Sequence, residues 1–346
     1  MGWLVHRIRF STKPIIKNKL LTMEKQFFGL KPLNYVILNK NMFNRISNRS
    51  QETLVAYFFL TPWIIGFGLF ILGAMLVSFL ISLYKTNFSN VFEFVGFENY
   101  ISLFGDPLTY KSLAVTAYYT FISTPLQTIL ALCIALLLNQ KIKFIGIFRT
   151  IYYLPTVVSG VAVILLWWWI FHPDLGLLNS FLSKLDVSPL PRWLYSEEYA
   201  MPAIIIMSLW LNGAGANMLI FLGALKEIPQ TYYEAASIDG ANAWSKFIHV
   251  TLPMISPAIL FNLIINLIGS FQVFNASYIM SLNGEGGPNN ATLTFVLYLY
   301  RKAFIQLQFG YASALAWVLF FIILIFTVFI MKKSSAWVYY HSEGRI

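Results

Sequence analysis

Charged residues make up only 11% of this 346-residue chain, against about 25% in an ordinary soluble domain. Beside 58% hydrophobic residues, that leaves too little polar surface to keep a folded globule soluble, so a water-soluble fold is excluded. Cysteine is scarcer still. Cys133 is the single one and lies inside an apolar run, which excludes an intrachain disulfide and a cysteine metal site. The four histidines, His6, His172, His249 and His341, fall in separate segments, and no H-E-x-x-H or His/Asp/Glu cluster suits a metal. There is no G-x-x-x-x-G-K-[S/T] loop, so the chain lacks that cradle for ATP phosphates.

What the sequence does contain is long apolar runs. Six are placed at Leu54–Tyr84, Val115–Leu138, Thr150–Phe171, Ala203–Leu225, Pro257–Leu282 and Phe309–Met331. Each reaches the ~20 residues that carry a helix across the hydrocarbon. None contains Lys, Arg, Asp or Glu. The absence of a mid-span carboxylate argues against proton-coupled transport. The formal charge of +10 could suggest nucleic acid, but the basic residues sit in the connections. With the N-terminus inside, segments 1–53, 139–149, 226–256 and 332–346 hold 18 of the 24 Lys and Arg. That bias predicts a multi-pass protein of a bacterial plasma (inner) membrane with both termini cytoplasmic. The lipid bilayer is then its first partner, and nucleic acid is not one.

The first 53 residues are basic and are set apart as a cytoplasmic segment. Trp3-Leu4-Val5 is too short an apolar core for a cleavable signal peptide, and Met23 offers an alternative start. Apolar residues from Phe27 to Leu38, mixed with Lys, predict a short helix on the inner membrane surface. Residues 54–335 form the membrane domain and 336–346 a cytoplasmic tail. On the outer side, Val95–Tyr100 reads as an interfacial helix, Pro173, Pro189 and Pro191 as turn-formers, Gly284–Pro288 as a tight turn, and Leu293–Phe304 as an amphipathic helix.

The most informative stretch is Glu234–Pro257, between the fourth and fifth spans. Glu234-Ala235-Ala236 favours helix, Asp239-Gly240 reads as a stop because Gly adopts positive φ freely, and a second helical run, Ala241–Val250, is expected to close at Leu252-Pro253. Glu-Ala-Ala, three residues, Gly, nine residues, an aliphatic, one residue and Leu-Pro resembles the signature loop of ABC-importer permeases. Here those places are Glu234-Ala235-Ala236, Gly240, Val250 and Leu252-Pro253, with Val where Ile is usual. Val95–Tyr100, Gly286-Gly287-Pro288, Tyr300–Phe304 and Tyr311–Ala314 look like the carbohydrate branch, which includes the maltose and glycerol-phosphate importers.

The resemblance implies an all-α integral membrane fold: six transmembrane helices of the ABC importer type I permease kind, with a cytoplasmic coupling-helix loop. It implies as partners a second homologous permease, two ATPase subunits and an extracytoplasmic sugar-binding protein. It implies no catalytic residue and no cofactor on this chain, ATP and Mg being held by the ATPase. Glu234, Ala235, Ala236, Asp239, Gly240, Leu252 and Pro253 become the coupling set. The substrate is expected to be a sugar or oligosaccharide, neutral or acidic, as with alginate or pectin fragments.

For the path, a sugar needs amide or hydroxyl partners beside aromatic faces. The fifth span offers Asn262, Asn266, Phe271, Gln272, Phe274, Asn275 and Tyr278, and helical spacing would bring Phe271, Asn275 and Tyr278 to one face. In the maltose importer the equivalent helix contacts sugar, which the resemblance carries to Phe271, Gln272 and Asn275. The same amides equally suit hydrogen bonding between helices. Asn212 joins the pathway set, although with Asn217, in a small-residue stretch, it reads first as close packing. Trp167-Trp168-Trp169 points around a helix, so at most one indole faces a pore and an outer aromatic belt is the plainer reading. Pro155 and Gly160 mark a kink or hinge in the third span. Two other classes compete: a structural or gating subunit that lines no path, and an integral-membrane enzyme acting on glycan or lipid, for which no acid, base or nucleophile cluster is found.

Overall fold

Helix dominates because almost every segment must satisfy its backbone hydrogen bonds without water. The computed structural model describes residues 48–87, 89–140, 143–213 and 215–339. The expected surface helix near Phe27–Leu38, the Met23 start and residues 340–346 lie outside the described residues. The chain divides into two compact units, 1–71 and 72–346. In the first, the described part is helix α1, Asn48–Gly66, and the start of a π-helical stretch, Phe67–Gly73. Its apolar side chains are bare, Phe58 and Phe59 each being 75% exposed.

The second unit opens with α2, Ala74–Ser82, and then departs from the all-helical expectation. Tyr84–Thr86 (β1) and Phe92–Phe94 (β2) pair antiparallel, Tyr84 opposite Phe94. The Asn87 carboxamide oxygen accepts the N–H groups of Ser89, Asn90 and Val91, an Asx-type turn that closes the ribbon. The interfacial helix follows later than expected, as α3, Glu98–Gly105.

Helix α4, Pro107–Leu138, is the central post. Asp106 caps it by accepting the Leu108 N–H at 3.0 Å, with Pro107 in the first turn, a favoured start. At the other end the Arg149 guanidinium donates to the Leu138 carbonyl at 3.0 Å, a cation at a helix C-terminus. One face of α4 is polar and buried: Thr109, Ser112, Thr116, Thr120, Ser123 and Gln127. Polar groups in an apolar helix are spared lipid by facing other helices. Here Thr124 donates to Ser270, Gln127 to Ser208, and Thr116 accepts the Phe295 N–H.

By length and composition, Val55–Ser82, Pro107–Leu138 and Phe309–Ser334 suffice to cross a membrane as single helices. The other three expected spans are broken. The third is α5, Ile145–Val157, and α6, Gly160–Ile170, at 98°; the break falls between Pro155 and Gly160, where a missing N–H and a residue without Cβ weaken the helix. The fourth is α8, Glu197–Ser208, prolonged by a π-helical turn to Gly213, then α9, Ala216–Glu227, bent by 42°. Between the third and fourth spans lies α7, Leu177–Lys184. The fifth span ends at Phe271 rather than Leu282: α13, Ser256–Phe271, breaks at Gln272–Phe274 before a short α14, Asn275–Met280. The amphipathic outer run is α15, Phe295–Tyr300, continued as a π-helical turn to Ile305, and α16, Phe309–Ser334, completes the set.

Buried clusters gather around this post. One joins Ala131, Ala135, Met218, Phe221, Leu225 and Ile255; a second joins Tyr119, Phe171, Ile204 and Met280; a third joins Leu103, Phe271, Phe295, Leu297 and Leu315.

Candidate functional site

The connection after α9 folds as an elbow. Helix α10, Gln230–Ile238, stops at Gly240, whose φ is +76°. The Ala241 N–H reaches the Ala236 carbonyl at 2.9 Å and the Gly240 N–H reaches Ser237 at 3.1 Å, the paired bonds of a Schellman stop. The expected glycine stop is therefore present. The second helix starts later than Ala241: Asn242 caps it by accepting the Ser245 N–H at 2.8 Å, and α11 begins at Ala243.

Leu252-Pro253 does not close that helix, contrary to expectation. The π-helical turn Phe247–Thr251 carries the Leu252 N–H to the Phe247 carbonyl, a register shift placed where Pro253 supplies no donor. The helix continues through α12, Leu252–Met254, and turns by 64° into α13.

Glu234, the first residue of the Glu-Ala-Ala pattern, does not open the elbow helix. It is the fifth residue of α10 and exposed, beyond the first turn where a carboxylate gains most from the helix dipole. The arms of the elbow are cross-braced, Lys246 Nζ donating to Ser237 Oγ at 2.7 Å and Tyr233 bonding Thr251 through their hydroxyls at 2.9 Å. Ala235, Ala236, Asp239 and Gly240 line a shallow groove with Asn242 and His249. Ile238, 87% exposed, and Trp244, 68% exposed, project from its surface. An apolar pair bared on a rigid polar elbow suits contact with another protein.

The pathway residues separate into three groups. Asn266 joins a buried interhelical chain: Asn217 Nδ2 donates to Asn266 Oδ1 at 2.8 Å, and Asn266 Nδ2 donates to Thr128 Oγ1 at 3.3 Å. Asn212 is exposed and shares with that chain a cavity of about 340 Å³ that Gln127, Thr156 and Ser270 also line. Phe271 departs from the expected shared face. The break after it turns it into the core, fully buried against Phe121 and Phe326, while Gln272, Asn275 and Tyr278 are exposed. Asn262 is buried and bonds within its own helix, to the Ala258 carbonyl.

Two features were missed in the sequence. The hydroxyl stripe of α4 was legible, since Thr and Ser recur there every three or four residues. The second was not: Asp106, distant in sequence from its partners, accepts from the hydroxyls of Tyr298 and Tyr311 and lies 3.9 Å from Lys302 Nζ. The ammonium stands 4.8 Å from the Tyr311 ring centroid, within cation–π range. Burial alone would push the Asp106 carboxyl up, but Tyr298, Tyr311, the Leu108 N–H and Lys302 together hold it below the usual value. Burial and the neighbouring carboxylate push the Tyr298 phenol up. A depressed carboxyl pKa stabilises the fold above the unfolded value and stops doing so as pH falls through the folded one. Melting temperature in detergent should therefore fall below about pH 4 in wild type, and less steeply in Asp106→Asn. Asp106→Ala should cost about 1–3 kcal/mol by removing the cap and orphaning Tyr298.

This arrangement has relatives. The model of the family described as binding-protein-dependent transport system inner membrane component matches residues 127–336. The probable ABC transporter permease protein YesP of Bacillus subtilis (strain 168) is 40% identical over 295 residues, covering 85% of this chain and 94% of that protein. The lactose transport system permease protein LacF of Rhizobium radiobacter is 35% identical over 279 residues, covering 80% and 92%. A crystal structure of a bacterial alginate ABC transporter, in complex with its alginate pentasaccharide-bound periplasmic protein, superposes with a TM-score of 0.70 at 24% identity, covering 81% of this chain and 93% of that one, and shows the shared fold. The chain thus belongs to the integral-membrane permeases of binding-protein-dependent ABC transport systems.

Proposed function

We propose that this chain is one permease subunit of an ATP-driven importer for a sugar or oligosaccharide, neutral or acidic. A second, homologous permease completes the path, two ATPase subunits dock on the elbows of the two permeases, and an external binding protein delivers substrate. The observation that carries this reading is the elbow: a glycine-stopped, cross-braced helix pair baring Ile238 and Trp244. Relatives whose names specify lactose, arabinooligosaccharides and trehalose/maltose support the carbohydrate class.

In this reading both termini and the elbow are cytoplasmic, ATP and Mg are held by the ATPase, and this chain performs no catalysis. ATPase closure moves the elbow. Because α12 meets α13 through a single 64° turn at Ile255, elbow motion passes directly to the helix carrying Asn266. The exposed Glu234 carboxylate is offered to a basic group of the ATPase.

Co-purification of the chain with its partners, followed by ATPase assay with and without candidate sugars and their binding protein, tests this. Sugar-stimulated hydrolysis is expected. A complex that hydrolyses ATP equally whether sugars are present or absent would mean a structural subunit, and a chain that recruits no ATPase at all would remove the importer reading.

A further inference from the structure

The bundle holds another cavity, apart from the elbow groove and the Asn212–Asn266 cavity. It lies at the end away from the elbow, between α6, the loop after α7, and α14, with a volume of about 500 Å³. That is within the roughly 300–1,000 Å³ of small-molecule sites. Its lining includes Trp168, Tyr195, Tyr278 and Asn283.

These side chains are braced before any ligand arrives. The Trp168 ring meets His172 edge-on at 5.8 Å, and His172 meets Tyr195 edge-on at 6.4 Å. His172 is itself fixed, Nδ1 accepting the N–H groups of Asp174 and Leu175. On the other wall Tyr278 stacks on Phe274 at 5.4 Å and meets Tyr300 edge-on. It also lies over Gly284, where an added Cβ would come within 2.8 Å of the ring and where φ is +70°. Rigid aromatic walls hold a ligand without the entropy loss of ordering them.

Polar groups are available beside these walls. Among the described residues no hydrogen bond engages the Asn283 amide or the Tyr195 and Tyr278 hydroxyls. Asn283 is held at φ +57°, a conformation that Asn tolerates better than most residues. Aromatic faces for C–H surfaces, together with an unspent amide and hydroxyls, are what a saccharide ring requires. Of the three consecutive indoles, Trp167 packs against Phe171 and Trp210, and Trp168 is the one that lines this cavity.

We propose that this cavity is a receiving site, holding one sugar ring of the incoming carbohydrate before it reaches the Asn212–Asn266 cavity. The proposal rests on the carbohydrate-importer reading. Its test uses the assembled complex in proteoliposomes with its binding protein, and lactose, maltose, arabinobiose and digalacturonate as probes. Trp168→Leu and Tyr278→Leu should each raise the half-saturating concentration of the transported sugar roughly tenfold, more than they lower the maximal rate. Trp168→Phe should recover most of the loss, and Asn283→Ala should shift the same parameter. Trp169→Leu, on an indole outside the cavity, should behave as wild type.

Unchanged concentration dependence in the Leu variants and Asn283→Ala overturns the proposal, as does an equal loss in Trp169→Leu. Failure of Trp168→Leu to assemble, with no shift in Asn283→Ala, also overturns it, marking a face covered by the second permease. A wild-type complex that answers none of the four sugars removes the carbohydrate reading instead.

Discussion

Gly240→Val is expected to abolish sugar-stimulated ATP hydrolysis, while Gly240→Asn retains most of it. The difference lies in the backbone alone. A Cβ at Gly240 would meet nothing within 4 Å, but φ is +76°, and a β-branched residue held there costs about 1–3 kcal/mol. Asn visits that region more readily. Val should therefore release the Schellman stop and let α10 run on, which misaligns Ile238 and Trp244 relative to the brace between Lys246 and Ser237. Membrane insertion should survive, since the loop carries no span. Ile238→Asp makes the complementary change, since its side chain is 87% exposed and its replacement should weaken ATPase recruitment with the elbow intact. Pull-down of the ATPase and stimulated hydrolysis are the measurements. Wild-type values for both Gly240→Val and Ile238→Asp would show that coupling runs through another segment.

The elbow was legible because its determinants are local. A glycine at a helix stop, a cap and a proline act over a few residues, and the spacing from Glu234 to Pro253 encodes them. Even so, Pro253 misled: its missing donor is accommodated by the π-helical turn Phe247–Thr251, which no sequence period announces. The number of spans was also legible, since apolar length is a composition signal. The kink between Pro155 and Gly160 was legible but its 98° angle was not, because a proline or small residue weakens a helix without fixing how far it bends; the break at Gln272 was not legible at all. The break at Gln272 is what separated Phe271 from Asn275 and Tyr278. The tie from Asp106 to Tyr298, Tyr311 and Lys302 joins residues about two hundred positions apart, and a single sequence carries no record of such pairing.

Asn212→Leu and Asn266→Leu should fail in different ways, and the contrast locates the path. Both residues line the same cavity of about 340 Å³. Asn266 is buried and spends its amide on Asn217 and Thr128, so Leu there orphans the Asn217 amide and removes two interhelical bonds. Such bonds in membrane bundles contribute about 0.6–2 kcal/mol each. Asn266→Leu should thus lower the melting temperature of the purified complex and its transport together. Asn212 is exposed to the cavity, and no hydrogen bond among the described residues engages its amide. Asn212→Leu should leave melting unchanged but leave a sugar hydroxyl unpaired, an effect of roughly 1–3 kcal/mol, or about ten- to a hundredfold in uptake at limiting sugar. Uptake against sugar concentration, read beside thermal melting, separates the two. If Asn212→Leu transports as wild type while Asn266→Leu merely melts earlier, the cavity is a packing gap between helices, and the sugar passes through the bundle elsewhere.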